Sequence, residues 1–490
     1  MRFILSAIVL VVCVQQVSFC QTDGETRLLT LEEAIRVAQS DGSSAKIAES
    51  VYYNRYWQYQ GTRASYLPQV SLNMTAPGFQ RSISAINQDD GTRLFVSQSQ
   101  AFSSASLDIA QTIPWTGGSI FLSSGLNRID LFGDIGSNQW QSTPLAIRFQ
   151  QPLFQYNPHK WIRRQNELQS RIVERRYRED LEDIAIEVTG QFFDLYIAEV
   201  NLANAKFNVS INDSIFTISQ GRYNVGTIAE NELLQSELEL LEAQNQLAGA
   251  KLAYERAEHN LRITLGWPHS IFIKIIPPVQ THSLSIDPQF ALMQAQKNRS
   301  DVLSFENQRL VVQRDIDAAK SRARPSADLT ATFGYNQSAD NLSDAYKDLL
   351  DQEFFNVNIQ FPLLQWGKGK AEIRAAEAEE QRVENDLIKK EETLTRDVYF
   401  HVQEFLQLQH QRLLAAKADT ISIRRFAVAK NRYLIGKIDI TDLFNAQKAK
   451  DSARQAYIET LRNYWELYYR LRRLTLYDFE AGKPIGRKND

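Results

Sequence analysis

Two periodicities divide the chain. Four stretches alternate apolar and polar residues with period two. In the first, Val70, Leu72 and Met74 alternate with Ser71 and Asn73; in the second, Leu145, Ile147 and Phe149 alternate with Ala146, Arg148 and Gln150. In the third, Leu329, Ala331, Phe333 and Tyr335 alternate with Asp328, Thr330 and Thr332; in the fourth, Val357, Ile359 and Phe361 alternate with Asn358 and Gln360. Each predicts a β-strand with one apolar and one polar face. Ser106 to Ile113 and Ser119 to Leu126 flank Pro114-Trp115-Thr116-Gly117-Gly118 and predict an additional hairpin. Elsewhere the period is helical. Leu443, Ala446, Ala449, Ala453, Tyr457, Leu461, Tyr464, Leu467 and Leu471 form a stripe at spacings of three and four. Its small residues suit close helix approach, as in a coiled coil. Only Pro158 and Gly190 interrupt the charged stretch from Asn157 to Ser219, which predicts one helix of about 60 residues and about 90 Å. Lys368 to Tyr433 predicts another of the same length.

These elements are duplicated. At a constant offset of 210, Arg222, Tyr223, Gly226 and Ile228 face Arg432, Tyr433, Gly436 and Ile438. The register holds upstream through Pro152/Pro362, Leu153/Leu363, Lys160/Lys370, Arg164/Arg374 and Glu167/Glu377, and downstream through Leu233/Leu443 and Leu261/Leu471. Near the start of each repeat a sparser match at an offset of 257 relates Ala34/Ala291, Ala38/Ala295 and Pro68/Pro325, so the first repeat carries 47 extra residues between Pro68 and Ile147. Repeats at fixed spacing are read before the fold. The expected organisation is a first repeat over 21–285, with a helix at 30–66, β segments at 69–152 and a helical hairpin at 157–266. A second repeat over 286–479 has a helix at 286–323, β segments at 327–362 and a hairpin at 368–475, followed by a tail at 480–490.

Composition narrows the setting. Arg2, the apolar run Phe3 to Val14 and Ser18-Phe19-Cys20 before Gln21 read as a cleavable secretory signal over 1–20. About twelve apolar residues are too few to span a bilayer. Lipidation at Cys20 is the weaker reading, because bulky Phe19 precedes it. The other cysteine, Cys13, lies inside the signal, so a mature chain has no thiol for a disulfide, zinc-thiolate site or nucleophile. No later run of 18 apolar residues predicts a membrane helix, whereas a β-barrel stays compatible with low hydropathy. A net charge of −3 gives no case for nucleic acid. The six histidines show no metal-ligand spacing, and there is no phosphate loop or hydrolase motif, so no cofactor, metal or enzyme activity is expected.

With this duplication the chain resembles the TolC-type outer-membrane efflux proteins. The resemblance rests on Leu31-Glu32-Glu33-Ala34-Ile35, on Pro68 and Pro325 before the first strand of each repeat, on Gln151-Pro152-Leu153, and on the two Arg-Tyr-x-Val/Ile-Gly turns. It implies an α+β membrane protein, a homotrimer in which four strands per chain form a twelve-stranded barrel in outer-membrane lipid. Long helical hairpins would continue as a periplasmic α-barrel. The implied function is a passive exit duct for efflux or type I secretion, gated at its periplasmic tip and coupled through a periplasmic adaptor to an inner-membrane pump. The hairpin at 105–126 departs from that strand count. A periplasmic coiled-coil scaffold or adaptor without conducting activity is the alternative.

Several residues are singled out for function. Gly226 and Gly436 permit the tight helix–helix turns, and the tips Val225-Gly226-Thr227 and Ile435-Gly436-Lys437 would meet the adaptor. Glu232 and Asp442, six residues past each glycine, would ring the closed end with carboxylates, although an acid in a first helical turn also simply suits the helix dipole. Asn445 stands where the family has a second acid and Ile438 where it has a basic gate residue. Arg432 and Tyr433 are candidates for hydrogen bonds that hold the tip shut. Trp115, Trp140, Trp161 and Trp366 lie near strand ends, where an interfacial aromatic belt would sit, or where a soluble core would pack them.

Overall fold

The computed structural model describes residues 26–87, 91–133, 136–278 and 284–486. The signal segment 1–20 with Cys13 and Cys20, His282 and the last four residues of the tail lie outside them. The elements in order are β1 (Thr26–Thr30), α1 (Leu31–Asp41), α2 (Ser43–Ala64), β2 (Gln69–Asn87), β3 (Arg93–Thr112), β4 (Ser119–Phe132) and β5 (Ser137–Leu153). There follow α3 (Pro158–Asn224), α4 (Glu230–Leu265), β6 (Phe272–Ile276), α5 (Pro288–Asn298) and α6 (Ser300–Arg322). The last long elements are β7 (Ser326–Ala339), β8 (Leu350–Gln360), α7 (Lys368–Leu434) and α8 (Ile440–Thr475), after which Tyr477–Asp478 and Lys483–Pro484 form a two-residue antiparallel pair.

The two hairpins have equal arms: α3 and α7 are each 67 residues, and α4 and α8 are each 36. At 1.5 Å per residue the long arms reach about 100 Å. Pro158 opens α3 with a φ already suited to a helix and no N–H to satisfy. The preceding Asn157 accepts the His159 N–H at 3.0 Å. Both long helices run through two compact units.

One unit holds residues 183–283, 407–469 and the start of the chain, and so contains both hairpin turns. There β1 and β6 form a parallel pair, Thr26↔Phe272 to Thr30↔Ile276, which the sequence patterning did not reveal. The other unit holds the antiparallel sheet β2-β3-β4-β5-β7-β8.

Two helices expected to be continuous are broken. The one at 30–66 divides at Gly42, whose backbone is extended. The one at 286–323 divides at Arg299, where the buried Glu179 carboxylate accepts both the N–H and the Oγ–H of Ser300 at 2.8 Å. A charge-assisted cap at that point starts a second helix instead of extending the first.

The strand count is also corrected, from four to six. The hairpin expected at 105–126 exists, and its strands are longer than the alternation showed, reaching 93–112 and 119–132. The polar stretch from Ser82 to Ser104 is paired within β2 and β3. The sheet has two open edges, β2 and β8, so no barrel closes within one chain.

Candidate functional site at the hairpin tips

Each long helix ends the same way. Gly226 and Gly436 have φ of 74° and 71°, a left-handed conformation that costs a glycine no Cβ strain. The Gly226 N–H donates to the Tyr223 carbonyl at 2.8 Å and the Thr227 N–H to that of Arg222 at 2.9 Å. In the second turn Gly436 and Lys437 repeat the pattern on Tyr433 and Arg432, both at 2.9 Å. The last carbonyls of both helices are thereby satisfied in the Schellman manner. Val225 and Ile435, at the apexes, are 74% and 66% exposed.

Beneath the turns the two hairpins share a core. Ile211 and Ile215 of α3, Phe426 and Tyr433 of α7, and Ile440, Leu443, Phe444 and Ala446 of α8 pack together, with Ile438 against them. Lys450 places its ammonium 4.8 Å and 4.9 Å from the ring centres of Phe207 and Phe426. Such a position favours a cation electrostatically.

The sharpest contact joins the end of one hairpin to the other. Arg222 of α3 donates from Nη2 to the carbonyls of Tyr433 and Leu434, at 3.4 and 3.3 Å, and its guanidinium lies 5.2 Å from the Tyr433 ring centre. Tyr433 is buried, and its hydroxyl shares a 3.3 Å hydrogen bond with Ser219. A cation on the last carbonyls of α7 also meets the negative end of that helix's dipole. Arg432, the repeat equivalent of Arg222, is exposed, and among the described residues its side chain makes no hydrogen bond or ion pair. Of the two residues singled out, Tyr433 makes an inter-helix hydrogen bond, and the guanidinium against its ring is that of Arg222.

Glu232 is half-buried and lines an open groove of about 730 Å³ with Arg222, Tyr433, Gly436, Lys437 and Asp439. Asp442 is exposed, and its N–H donates to Asp439 Oδ1 at 2.8 Å. Asp439 is the N-cap of α8, a role sequence reasoning missed although an acid just before a periodic helix is its usual signature. The corresponding residue before α4, Ala229, caps nothing with its side chain.

The sheet is the second region with a functional pattern. One face carries Val70, Leu72, Met74, Phe79 and Ile83 of β2, Phe355, Val357 and Ile359 of β8, and Leu107 and Ile147 between them, all exposed. The other face is richer in polar residues, although Phe102, Phe121 and Phe354 also lie on it; there Asp108 accepts hydrogen bonds from Asn73 and Ser106, both 2.8 Å. Trp115 and Trp366 are exposed at the turns that end strands, while Trp161 is buried and donates to Asp317 at 3.0 Å. Among the described residues no helix is long and apolar enough to cross a membrane, and no group of three or more His, Cys, Asp or Glu is placed to hold a metal ion.

The chain thus combines two hairpins of matching arms that share a core near their tips with a sheet that has an apolar face. The family model for the outer membrane efflux protein matches residues 57–267 and 291–475, and the chain belongs to that family. It is an outer-membrane efflux channel with a helical part in the periplasm, which decides against the non-conducting scaffold; members of the family are channels, in keeping with a non-enzymatic role. Solved structures share the fold. The Campylobacter jejuni CmeC outer membrane channel is 16% identical, covers 94% of this chain and 87% of its own, and superposes with a TM-score of 0.66. The outer membrane protein VceC from Vibrio cholerae is 13% identical with 93% and 97% covered and a TM-score of 0.63. The open state of the Neisseria gonorrhoeae MtrE outer membrane channel is 16% identical with 91% and 88% covered and a TM-score of 0.60. No curated protein matches in sequence.

Proposed function

We propose that the channel is a homotrimer that conducts passively and is gated at its hairpin tips. Its sheets would pool into a barrel in the outer-membrane lipid, and the paired hairpins of 21–285 and 286–479 would form the wall of a periplasmic tube. The tips, Val225-Gly226-Thr227 and Ile435-Gly436-Lys437, would meet the hairpins of a periplasmic adaptor, which links the duct to an inner-membrane pump that supplies the energy.

The observation that carries the gate is the Arg222 clamp on Tyr433 and Leu434. It is the kind of contact that fixes the angle between two hairpins and can be released without unfolding either. Glu232 and Asp442, each present three times in a trimer, would place carboxylates around the same end. Apolar apexes at Val225 and Ile435 suit insertion into a partner's groove, because each exposes a branched side chain on a rigid turn.

The test is conductance in planar bilayers. Arg222→Ala is expected to raise single-channel conductance severalfold, since the clamp is lost while both helix turns remain. A conductance equal to wild type removes the gate from the tips. Partner contact is tested separately, by replacing Val225 and Ile435 with Asp and measuring copurification of the adaptor.

A further inference from the structure

The β3–β4 hairpin occupies the 47-residue surplus of the first repeat, and the sheet register shows what it does. Two neighbouring rows of residues cross the sheet perpendicular to the strands. The first runs Val70, Ile109, Leu122, Ile147 and Phe333, from β2 through β3, β4 and β5 to β7. The second, one residue along each strand, runs Ser71, Asp108, Ser123, Ala146 and Gly334 through the same strands. From β2 to β7 one row is apolar and the next small or polar, and on β8 the two rows end at Glu353 and Gln352. Adjacent rows lie on opposite faces, because successive side chains alternate across a strand. The hairpin thus supplies two apolar residues to one face and two polar ones to the other, in register with the strands on either side. A hairpin decorating an external rim has no reason to continue both faces.

Direction adds an independent constraint. All five pairings within the sheet are antiparallel, so β2 and β8 run in opposite senses. The β8 edge of one chain can then take the β2 edge of the next and keep the alternation. An insertion of one strand would force a parallel pair at that seam, whereas a hairpin does not. Both edges must be paired, because lipid offers no partners to a strand's free N–H and C=O groups. Six strands are also too few to close on themselves, since the smallest membrane barrels have eight.

We infer that the β3–β4 hairpin is part of the pore wall, so that three copies close a barrel of eighteen strands instead of twelve. This rests on the trimer and the membrane placement proposed above. With strands about 4.8 Å apart and tilted about 40°, twelve strands give a backbone diameter of about 24 Å and eighteen give about 36 Å. The strand region is then wide enough to be water-filled throughout, and the narrowest point of the duct falls to the helical tips. Asp108, on the second row, faces the water of the bore.

Site-directed labelling tests the wall directly. Cys13 and Cys20 both precede the described residues, so a cysteine introduced into the sheet is the only thiol in that part of the chain. Full-length single-cysteine variants labelled with bimane are reconstituted into phosphatidylcholine vesicles containing nitroxide-labelled lipid. Leu107→Cys, Ile109→Cys and Leu122→Cys are expected to be strongly quenched, while Ser106→Cys and Ser123→Cys are not and instead react with a membrane-impermeant thiol reagent. Val70→Cys and Val357→Cys, on the edge strands, report the membrane placement itself. Quenching at the edges with none at 107, 109 and 122 puts the hairpin outside the wall and overturns this inference alone. Absence of quenching at the edges as well overturns it together with the membrane placement. Electron cryomicroscopy of the assembled protein counts the strands: eighteen supports the closure and twelve overturns it.

Discussion

The two tips are built from one repeated sequence and are packed differently. In the second, Tyr433 is 4% exposed, its carbonyl is held by Arg222, and α8 begins on the Asp439 cap. In the first, the equivalent Tyr223 is 40% exposed, Arg222 is spent on the other tip, and Ala229 offers no cap. The glycine turns are nevertheless the same, to within 3° of φ. Duplication preserved the backbone that makes a hairpin and let the side chains diverge, so that one tip is buried and capped while the other is exposed and donates the arginine that contacts it.

The largest effect expected from breaking that asymmetry is at the tyrosines. Tyr433→Ala removes a buried ring from the tip core and should lower the local opening free energy by about 3–4 kcal/mol, in the range for large aromatic truncations. Tyr223→Ala should cost under about 1 kcal/mol. Hydrogen exchange at the amides of 426–446, compared with 216–236, reads both. Equal losses would mean that the tips are energetically equivalent despite their different burial.

Next come the arginines. Arg222→Ala removes two charge-assisted hydrogen bonds and should weaken the same amides by about 1–3 kcal/mol. Arg432→Ala should leave exchange and conductance at wild-type values. A conductance change from Arg432→Ala as large as that from Arg222→Ala would contradict the one-sided clamp.

The caps should give a smaller and reciprocal pair. Asp439→Ala should cost about 1 kcal/mol at the start of α8, and Ala229→Asp should gain a similar amount or less at the start of α4. Circular dichroism and exchange at 440–443 and 230–233 measure them. The smallest effect is at the exposed acids. Asp442→Asn should reduce block by multivalent cations, and the difference should fade at high salt because exposed charges are screened within about 10 Å at 0.1 M. Glu232→Gln, in the groove beside Arg222, should retain more of its effect at the same salt.

What the sequence made legible follows from how local each feature is. The glycine turns and the long helices could be read because a turn and a helical period are written in neighbouring residues. Which arginine clamps could not, since Arg222 and Arg432 sit in matching contexts and only the packing of α3 beside α7 decides between them. In the sheet, the inner parts of the strands alternate cleanly, and so does the extra hairpin near Pro114. Their outer parts do not, because the apolar face there is interrupted by Arg81, Ser97 and Ser99, and the register of β2 on β3 shifts between Thr75 and Gly78. A period-two search loses phase at such a bulge. The β1–β6 pair was hidden for a third reason: each strand is only five residues, and its partner lies across the whole first repeat. The Glu179 cap that divides α5 from α6 is likewise supplied from far along the chain.

That parallel pair has a consequence for how the chain assembles. Thr26 finds its partner at Phe272, so the beginning of the chain cannot be fixed until the whole first repeat has emerged. Once β6 arrives, the first repeat is sealed as a loop before the second repeat needs to exist. Gly42 and Gly266 lie where that seal is tightest: a Cβ on Gly42 would come within 2.8 Å of the Thr264 carbonyl oxygen, and one on Gly266 within 3.0 Å of that of Asp41. The amino-terminal strand is thus one half of a clasp whose other half lies beyond the long hairpin, so β1 has its partner only when the chain through Ile276 is present.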